Sequence, residues 1–372
     1  MKKALMISCF DWYKTRIEPI RHFLIDKGYD VTVLIADYDH IKKRPIEKKY
    51  PECTYISVPQ YKKNISVKRL YSHMNFGKSV SKELKKTKPD LVYLQLPPNN
   101  IARYCKAYKQ KHPDTVLILD IIDLWPESMP LDRIRNLSPA KVWRGWRDNC
   151  IDAANHVFTE CRLYQEKLNM DKSRTSTLHL FKDQTDEDKS LVEDIIKKRE
   201  KRDNLIKFVY LGSMNNIIDI EGICAVIKTF IDKGYKCELH AIGDGESRAQ
   251  FETAVKQTGC QTFFYGVIFD EKEKIRILAP CDFAFNMMQD SITVGLTIKS
   301  IDYFSYGIPV INSIPGDTRE LIAANGVGIN VDAGKSIEYK NIDHEKVLAF
   351  FDEKFTKTGF EKAVADAIGN IV

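Results

Sequence analysis

Short apolar, β-branched runs separated by helix-sized amphipathic stretches recur along the chain. This alternation leaves few choices other than parallel sheets covered by helices. Ala4–Ser8, a helix-like Arg16–Lys27 and Val31–Ala36 read as strand, helix and strand, and Leu91–Leu96, Val116–Asp120 and His156–Thr159 continue the series. A second series opens on a strand at Ile206–Leu211. It passes through a helix at Ile220–Lys233, a strand at Cys237–Ile242 and a helix at Glu246–Thr258, then strands at Thr262–Tyr265, Asp282–Asn286 and Val310–Asn312. The expected fold class is α/β, with two doubly wound domains facing across a cleft, and 372 residues suit that division. The first domain is expected over 1–183 and the second over 205–358. The charge-dense 184–204 is read as an exposed connecting helix, and 359–372 as a C-terminal helix packing back on the first domain.

Composition narrows the class further. No apolar run approaches the roughly 20 residues of a membrane span, and Asp11 interrupts the stretch Ala4–Phe10, so neither a cleaved signal nor a spanning helix is expected. Nine scattered cysteines without a Cys-x-x-Cys pair or histidines at zinc-ligand spacing fit a reducing cytoplasm. The net charge of +6 conceals +13 over residues 1–183 and −7 over 184–372. Much of the excess lies in Lys42-Lys43-Arg44, Lys48-Lys49, Lys62-Lys63, Lys68-Arg69 and Lys82 through Lys88. Such a half suits an anionic membrane surface, a phosphorylated acceptor or a plain solvated face. No RNA- or DNA-binding motif accompanies it, so no nucleic-acid partner is expected. Ser138-Pro139 marks a helix start, followed by Lys141, Trp143, Arg144, Trp146 and Arg147. This pattern either covers a core or meets lipid headgroups.

The first strand ends in Ser8-Cys9-Phe10-Asp11-Trp12 without Gly-x-Gly-x-x-Gly, which argues against a nicotinamide enzyme. Walker, Gly-x-Ser-x-Gly and His-Glu-x-x-His motifs are also missing. Asp37-Tyr38-Asp39 spells the Asp-x-Asp of metal-dependent sugar transferases, yet acidic residues are ordinary after a strand, and no metal site is expected. Glycines end three strands of the second series, in Leu211-Gly212-Ser213, Ile242-Gly243-Asp244-Gly245 and Tyr265-Gly266-Val267. Each either makes a tight turn or lets backbone amides approach a phosphate. In Val294-Gly295-Leu296-Thr297-Ile298-Lys299-Ser300-Ile301-Asp302, a glycine loop enters a helix that is expected to stop at Gly307, before a strand led by Pro309. Lys299 in the first turn opposes the helix dipole unless an anion sits there, and Asp302 follows three residues on. A cation for phosphate and a carboxylate for hydroxyls suit a nucleotide diphosphate-sugar.

These blocks, together with Pro315-Gly316-Asp317-Thr318-Arg319-Glu320-Leu321-Ile322 and Asp120-Ile121-Ile122-Asp123-Leu124-Trp125-Pro126-Glu127-Ser128, carry a resemblance. The chain is similar to GT-B glycosyltransferases of family 4, especially bacterial enzymes of capsule, exopolysaccharide and O-antigen synthesis. The resemblance implies two Rossmann-like domains and retaining, metal-independent transfer of a sugar from a nucleotide diphosphate-sugar to a lipid-linked or glycan acceptor. No cofactor is implied beyond that co-substrate. It implies a pair of glutamates eight positions apart, which fall on Val294 and Asp302, so the first carboxylate is missing. It also implies a His-Asp pair, of which Ile122-Asp123 keeps the aspartate. Donor binding is therefore expected at Gly212, Ser213, Gly266, Val267, Gly295, Thr297, Lys299 and Asp302, and catalysis at Asp123 and Glu127. The expected place of work is the cytoplasm, peripheral at the inner face of the plasma membrane. Two other classes remain open on these residues: a GT-B partner subunit without activity, and a nucleotide-sugar epimerase or hydrolase.

Overall fold

Strands with both faces covered are apolar almost throughout, and the buried runs Ala4–Ser8 and Leu91–Leu96 have that character. A computed structural model describes residues 1–11, 13–47, 49–63, 66–129, 138–199, 204–289, 294–332, 337–338 and 340–372. Trp12, Lys48 and residues 200–203 of the expected connecting helix lie outside the described residues. The chain divides into two units, Met1–Leu180 with Phe360–Val372, and Phe181–Gly359.

The first unit runs β1 (Lys2–Ser8), α1 (Glu18–Asp26), β2 (Tyr29–Ala36), β3 (Tyr38–Asp39), β4 (Arg44–Pro45), β5 (Cys53–Ile56), α2 (Val67–Thr87) and β6 (Leu91–Leu96). It continues through α3 (Ala102–Lys111), β7 (Val116–Ile121), α4 (Ser138–Ile151), β8 (His156–Thr159), α5 (Arg162–Lys167) and β9 (Thr175–Thr177). Seven parallel strands pair in the order β5-β2-β1-β6-β7-β8-β9, and β3 and β4 make a separate antiparallel ribbon. The order reverses between β1 and β6, where neighbouring strands send their connections to opposite faces and leave a crevice at their carboxyl ends. Ser8 and Gln95 meet at this point through a 2.6 Å hydrogen bond.

The second unit runs α6 (Asp186–Lys197), β10 (Leu205–Leu211), α7 (Ile220–Asp232), β11 (Lys236–Ile242), α8 (Arg248–Lys256), β12 (Gln261–Gly266), α9 (Glu271–Leu278) and β13 (Phe283–Asn286). It continues through α10 (Ile298–Ser305), β14 (Val310–Asn312), α11 (Asp317–Asn325), β15 (Gly328–Asn330) and α12 (His344–Lys354); α13 (Lys357–Ile368) crosses the division between the units. Six parallel strands pair as β12-β11-β10-β13-β14-β15, with the reversal between β10 and β13. Phe208 on β10 stacks on Phe285 of β13 at 5.0 Å and meets Phe230 of α7 edge-on at 5.3 Å, which fixes the centre of this core. The charged segment before β10 buries Val192 and Ile196 of α6 and counts with the second unit. The edge strands β5, β9 and β15 have no counterpart in the sequence reading. They are three or four residues long and mostly half-buried, too short for a period to emerge.

Candidate functional site

In the second unit, α10 starts at the point of strand reversal. Thr297 caps it, accepting from the Ser300 amide at 3.2 Å, and its hydroxyl donates to Asn286 Oδ1 at the end of β13 at 3.0 Å. Tyr303 fastens the same helix to both central strands: its hydroxyl accepts from the Leu211 amide (2.8 Å) and donates to the Phe285 carbonyl (3.2 Å). Gly295 is buried before the cap, and its carbonyl accepts the Thr318 amide at 2.8 Å and the Thr318 hydroxyl at 2.9 Å, joining the starts of α10 and α11.

Lys299 occupies the first turn of α10 as expected, with Nζ 5.0 Å from the centre of the Tyr210 ring. Among the described residues no carboxylate pairs with it, and burial lowers its pKa to about 8. A cation in a first helical turn without a counter-ion is unfavourable twice, through the dipole and through desolvation. An anion held at this place relieves both.

Asp302 has other partners. Its carboxylate takes the Lys182 ammonium at 2.8 Å, and Lys182 also reaches Glu271 at 2.6 Å and the Tyr306 hydroxyl at 3.0 Å. Burial, which would raise the Glu271 carboxyl, is outweighed by Lys182, Lys274 and Tyr306, leaving it at about 2. Lys299 and Asp302, placed on one helical face from their spacing, thus engage different neighbours. Three residues turn a helix by about 300°, which leaves room for the two side chains to diverge. Lys182, from the segment before α6, was not legible as the partner.

The strand-end glycines lace the sheet ends together. The Gly212 amide donates to the Ile242 carbonyl at 3.0 Å, and the Gly243 amide to that of Gly266 at 2.7 Å. A Cβ at Gly243, whose φ is 136°, would overlap the Gly212 carbonyl, so the tight packing demands glycine there. These amides are committed to neighbouring loops and are not free to meet a phosphate. Ser213 and Val267, beside them, are exposed.

In the first unit, the segment after β7 brings Asp123 and Glu127 to contrasting environments. Burial raises the Asp123 carboxyl against hydrogen bonds donated by the Ser128 hydroxyl and the Trp125 indole. Glu127 is clamped: Arg147 donates to both of its oxygens at 2.9 Å, and Arg144 approaches at 2.8 Å. Burial acts to raise its carboxyl, but the arginines prevail and hold it below the usual range. Asp123 is suited to accept a proton and Glu127 is not, a difference that one acidic motif conceals.

A cluster missed from sequence flanks Asp123. Arg69 of α2, inside the lysine-rich stretch, is buried with its guanidinium 4.4 Å from the Trp125 ring, and Phe10, Tyr61 and His73 surround it. Desolvation and the charge of Arg69 hold His73 neutral, with a pKa of about 3. Asp37 and Asp39 serve their own loop, accepting the amide of Val58 and those of Ile41 and Lys42 respectively. Among the described residues no group of three or more acidic, histidine or cysteine side chains is placed to hold a metal, and no helix is long and apolar enough to cross a membrane.

No protein-family profile and no curated protein sequence matches the chain. Solved structures do. The lipopolysaccharide outer core galactosyltransferase WaaB is 15% identical with a TM-score of 0.66, over 100% of both chains. HepE from Anabaena, solved in complex with UDP, is 14% identical with a TM-score of 0.61 over 100% of both. Sucrose-phosphate synthase from Thermosynechococcus elongatus is 12% identical with a TM-score of 0.59, over 99% of this chain and 95% of the other. The chain has the GT-B fold. Its GT-B architecture rests on strand order and packing. Both GT-B units place their most unusual side chains, Lys299 in one and the Arg69–Trp125 cluster in the other, close to a point of strand reversal.

Proposed function

We propose that this chain is a glycosyltransferase that takes a sugar from a nucleotide diphosphate-sugar and delivers it to a lipid-linked glycan. The reading carries further proposals: family 4 type, hexosyl transfer with retention, no metal or cofactor, and work in bacterial surface polysaccharide assembly at the inner face of the plasma membrane. The observation that carries the central claim is Lys299, a half-buried cation without a carboxylate partner among the described residues, at the start of a capped helix in a GT-B unit. Its ammonium and the first-turn amides of α10 stabilise the diphosphate as it departs, because preorganised charge costs little reorganisation when the leaving group gains its own. Asp123, with its raised carboxyl, orients and deprotonates the acceptor hydroxyl. Glu127 keeps its segment in place through Arg147 and Arg144. HepE, solved with UDP and with UDP-glucose, makes a uridine donor the first to try.

Thermal unfolding with UDP, GDP and ADP, and with their sugar conjugates, tests the donor claim, since a ligand that binds only the native state raises the midpoint. A shift with one base that disappears in Lys299→Met is the expected result. No shift with any nucleotide refutes the reading. A second reading, a GT-B subunit that binds donor without transferring it, is favoured by Val294 where the resemblance implies a glutamate. Product analysis with a lipid-linked acceptor separates the two, and analysis without acceptor detects epimerisation or hydrolysis.

A further inference from the structure

Asparagine is uncommon in strands, yet three neighbouring strands of the second unit each end on one: β13 on Asn286, β14 on Asn312 and β15 on Asn330. The register sets Asn286 beside Asn312 and Asn312 beside Asn330. Asn286 and Asn312 are wholly buried, and the three amides bond in series. Asn286 Nδ2 donates to Asn312 Oδ1 at 2.9 Å, Asn312 Nδ2 to Asn330 Oδ1 at 3.0 Å, and Asn330 Nδ2 to the Arg319 carbonyl at 2.8 Å. The Ile314 carbonyl also accepts from Asn312 Nδ2, at 2.8 Å. Backbone carbonyls only accept, so these two fix which way the Asn312 and Asn330 amides face, and the direction passes on to Asn286. Asn286 must then present Oδ1 to Thr297, whose single hydroxyl proton is committed there. Thr297 Oγ1 keeps its lone pairs for α10, where it accepts from the Ser300 amide and faces the Ser300 hydroxyl at 2.6 Å. With Ser300 capped, the Ile298 and Lys299 amides are first-turn donors that no acceptor meets among the described residues. Ile298 is 56% exposed, so this turn opens to solvent.

We infer that Asn286, Asn312 and Asn330 are positioning residues for the donor's diphosphate: the ladder holds Thr297 as the acceptor for Ser300 and leaves the Ile298 and Lys299 amides, with the Lys299 ammonium, to one anion. If these positions only filled the core, apolar side chains would serve without the cost of burying amides. A fully bonded series has one low-energy arrangement, and it carries the orientation of the cap from the edge strand β15 to the start of α10. None of the three donates to the anion, and each acts through Thr297. The inference rests on the donor reading and extends it to residues one to three strands' width from the anion.

Calorimetric titration of the full chain with inorganic pyrophosphate, UDP and uridine tests the ladder. Asn312→Ala opens the series in the middle, and Asn330→Ala opens it at its half-buried far end. Pyrophosphate and UDP should each bind about tenfold more weakly to Asn312→Ala and about threefold more weakly to Asn330→Ala, with uridine affinity unchanged. In a Thr297→Val background, where the hydroxyl is gone, Asn312→Ala should cause no further loss, whereas a change in packing alone would repeat the loss in full. Unfolding midpoints above the titration temperature verify that each variant is folded, and Asn330→Ala decides alone if Asn312→Ala is not. Wild-type affinity for pyrophosphate and UDP in the folded variants, an equal loss for uridine, or full additivity with Thr297→Val overturns the ladder's role and leaves the donor reading standing. A wild-type chain that binds neither pyrophosphate nor UDP overturns the donor reading, and the role given to the ladder with it.

Discussion

Burial lowers the Lys299 ammonium to about 8 from an ordinary 10.5, so the folded chain is less stable for carrying that charge. Below pH 8 both folded and unfolded chains hold the proton and the cost is constant. Between 8 and 10.5 the folded chain sheds it first, and the cost disappears as pH rises. Lys299→Met should stabilise the unliganded protein by about 2 kcal/mol at pH 7, a value reduced for partial exposure, with the difference vanishing above pH 10.5. Chemical denaturation at pH 7 and 10.5 checks it. The same substitution should weaken nucleotide-sugar binding. In the wild type, affinity should hold steady from pH 7 to 8 and fall by up to about tenfold per unit above, as the free enzyme loses the proton that the anion needs. Calorimetric titration should show that slope flattened in Lys299→Met. Asp123→Asn should cut kcat by at least about a hundredfold with the donor Kd unchanged, the signature of a group that acts on the acceptor proton.

Among the elements, α10 depends on its cap. Thr297→Ala removes the acceptor for the Ser300 amide and leaves buried Asn286 Oδ1 without its donor, a loss of roughly 2 kcal/mol. Thr297→Ser keeps both bonds and should restore stability and nucleotide affinity together. For the segment after β7 the expectation is different. Glu127→Gln removes one of the two carboxylates that pair with the wholly buried Arg147, the other being Asp148 at 2.8 Å, and should cost about 2 kcal/mol, read by denaturation. If Glu127 were the base, kcat would collapse in a folded variant. As a positioning residue its loss should lower stability more than turnover.

The whole molecule is two units joined twice, because the chain enters the second at Phe181 and returns to the first at Phe360. The last residues belong to the first core: Phe360, Val364 and Ile368 are buried, the Phe360 ring lies 5.8 Å from the Arg16 guanidinium, and Lys27 donates to the Gly369 carbonyl at 3.0 Å. Removing 360–372 uncovers that apolar surface and should destabilise the first unit by roughly 5 kcal/mol. Scanning calorimetry should show a lowered transition for that unit, while the transition raised by nucleotide stays in place.

Periodicity alone placed the two parallel-sheet series, because strands covered on both faces must be apolar and their crossovers must be helix-sized, and the helix carrying Lys299 was legible from the glycine loop before it and its glycine stop. Edge strands such as β15 were hidden, being too short to carry a period. Spacing also put Lys299 and Asp302 together, as it put Asp123 and Glu127 together. Only the tertiary structure decided what each side chain meets: Tyr210 for Lys299, Lys182 for Asp302, and two arginines for Glu127. Arg69, lost among surface lysines in the sequence, proved to be the buried one. Local sequence dictates backbone geometry and the sidedness of elements, whereas a charge's role depends on partners that lie distant along the chain and approach only once the sheets have closed.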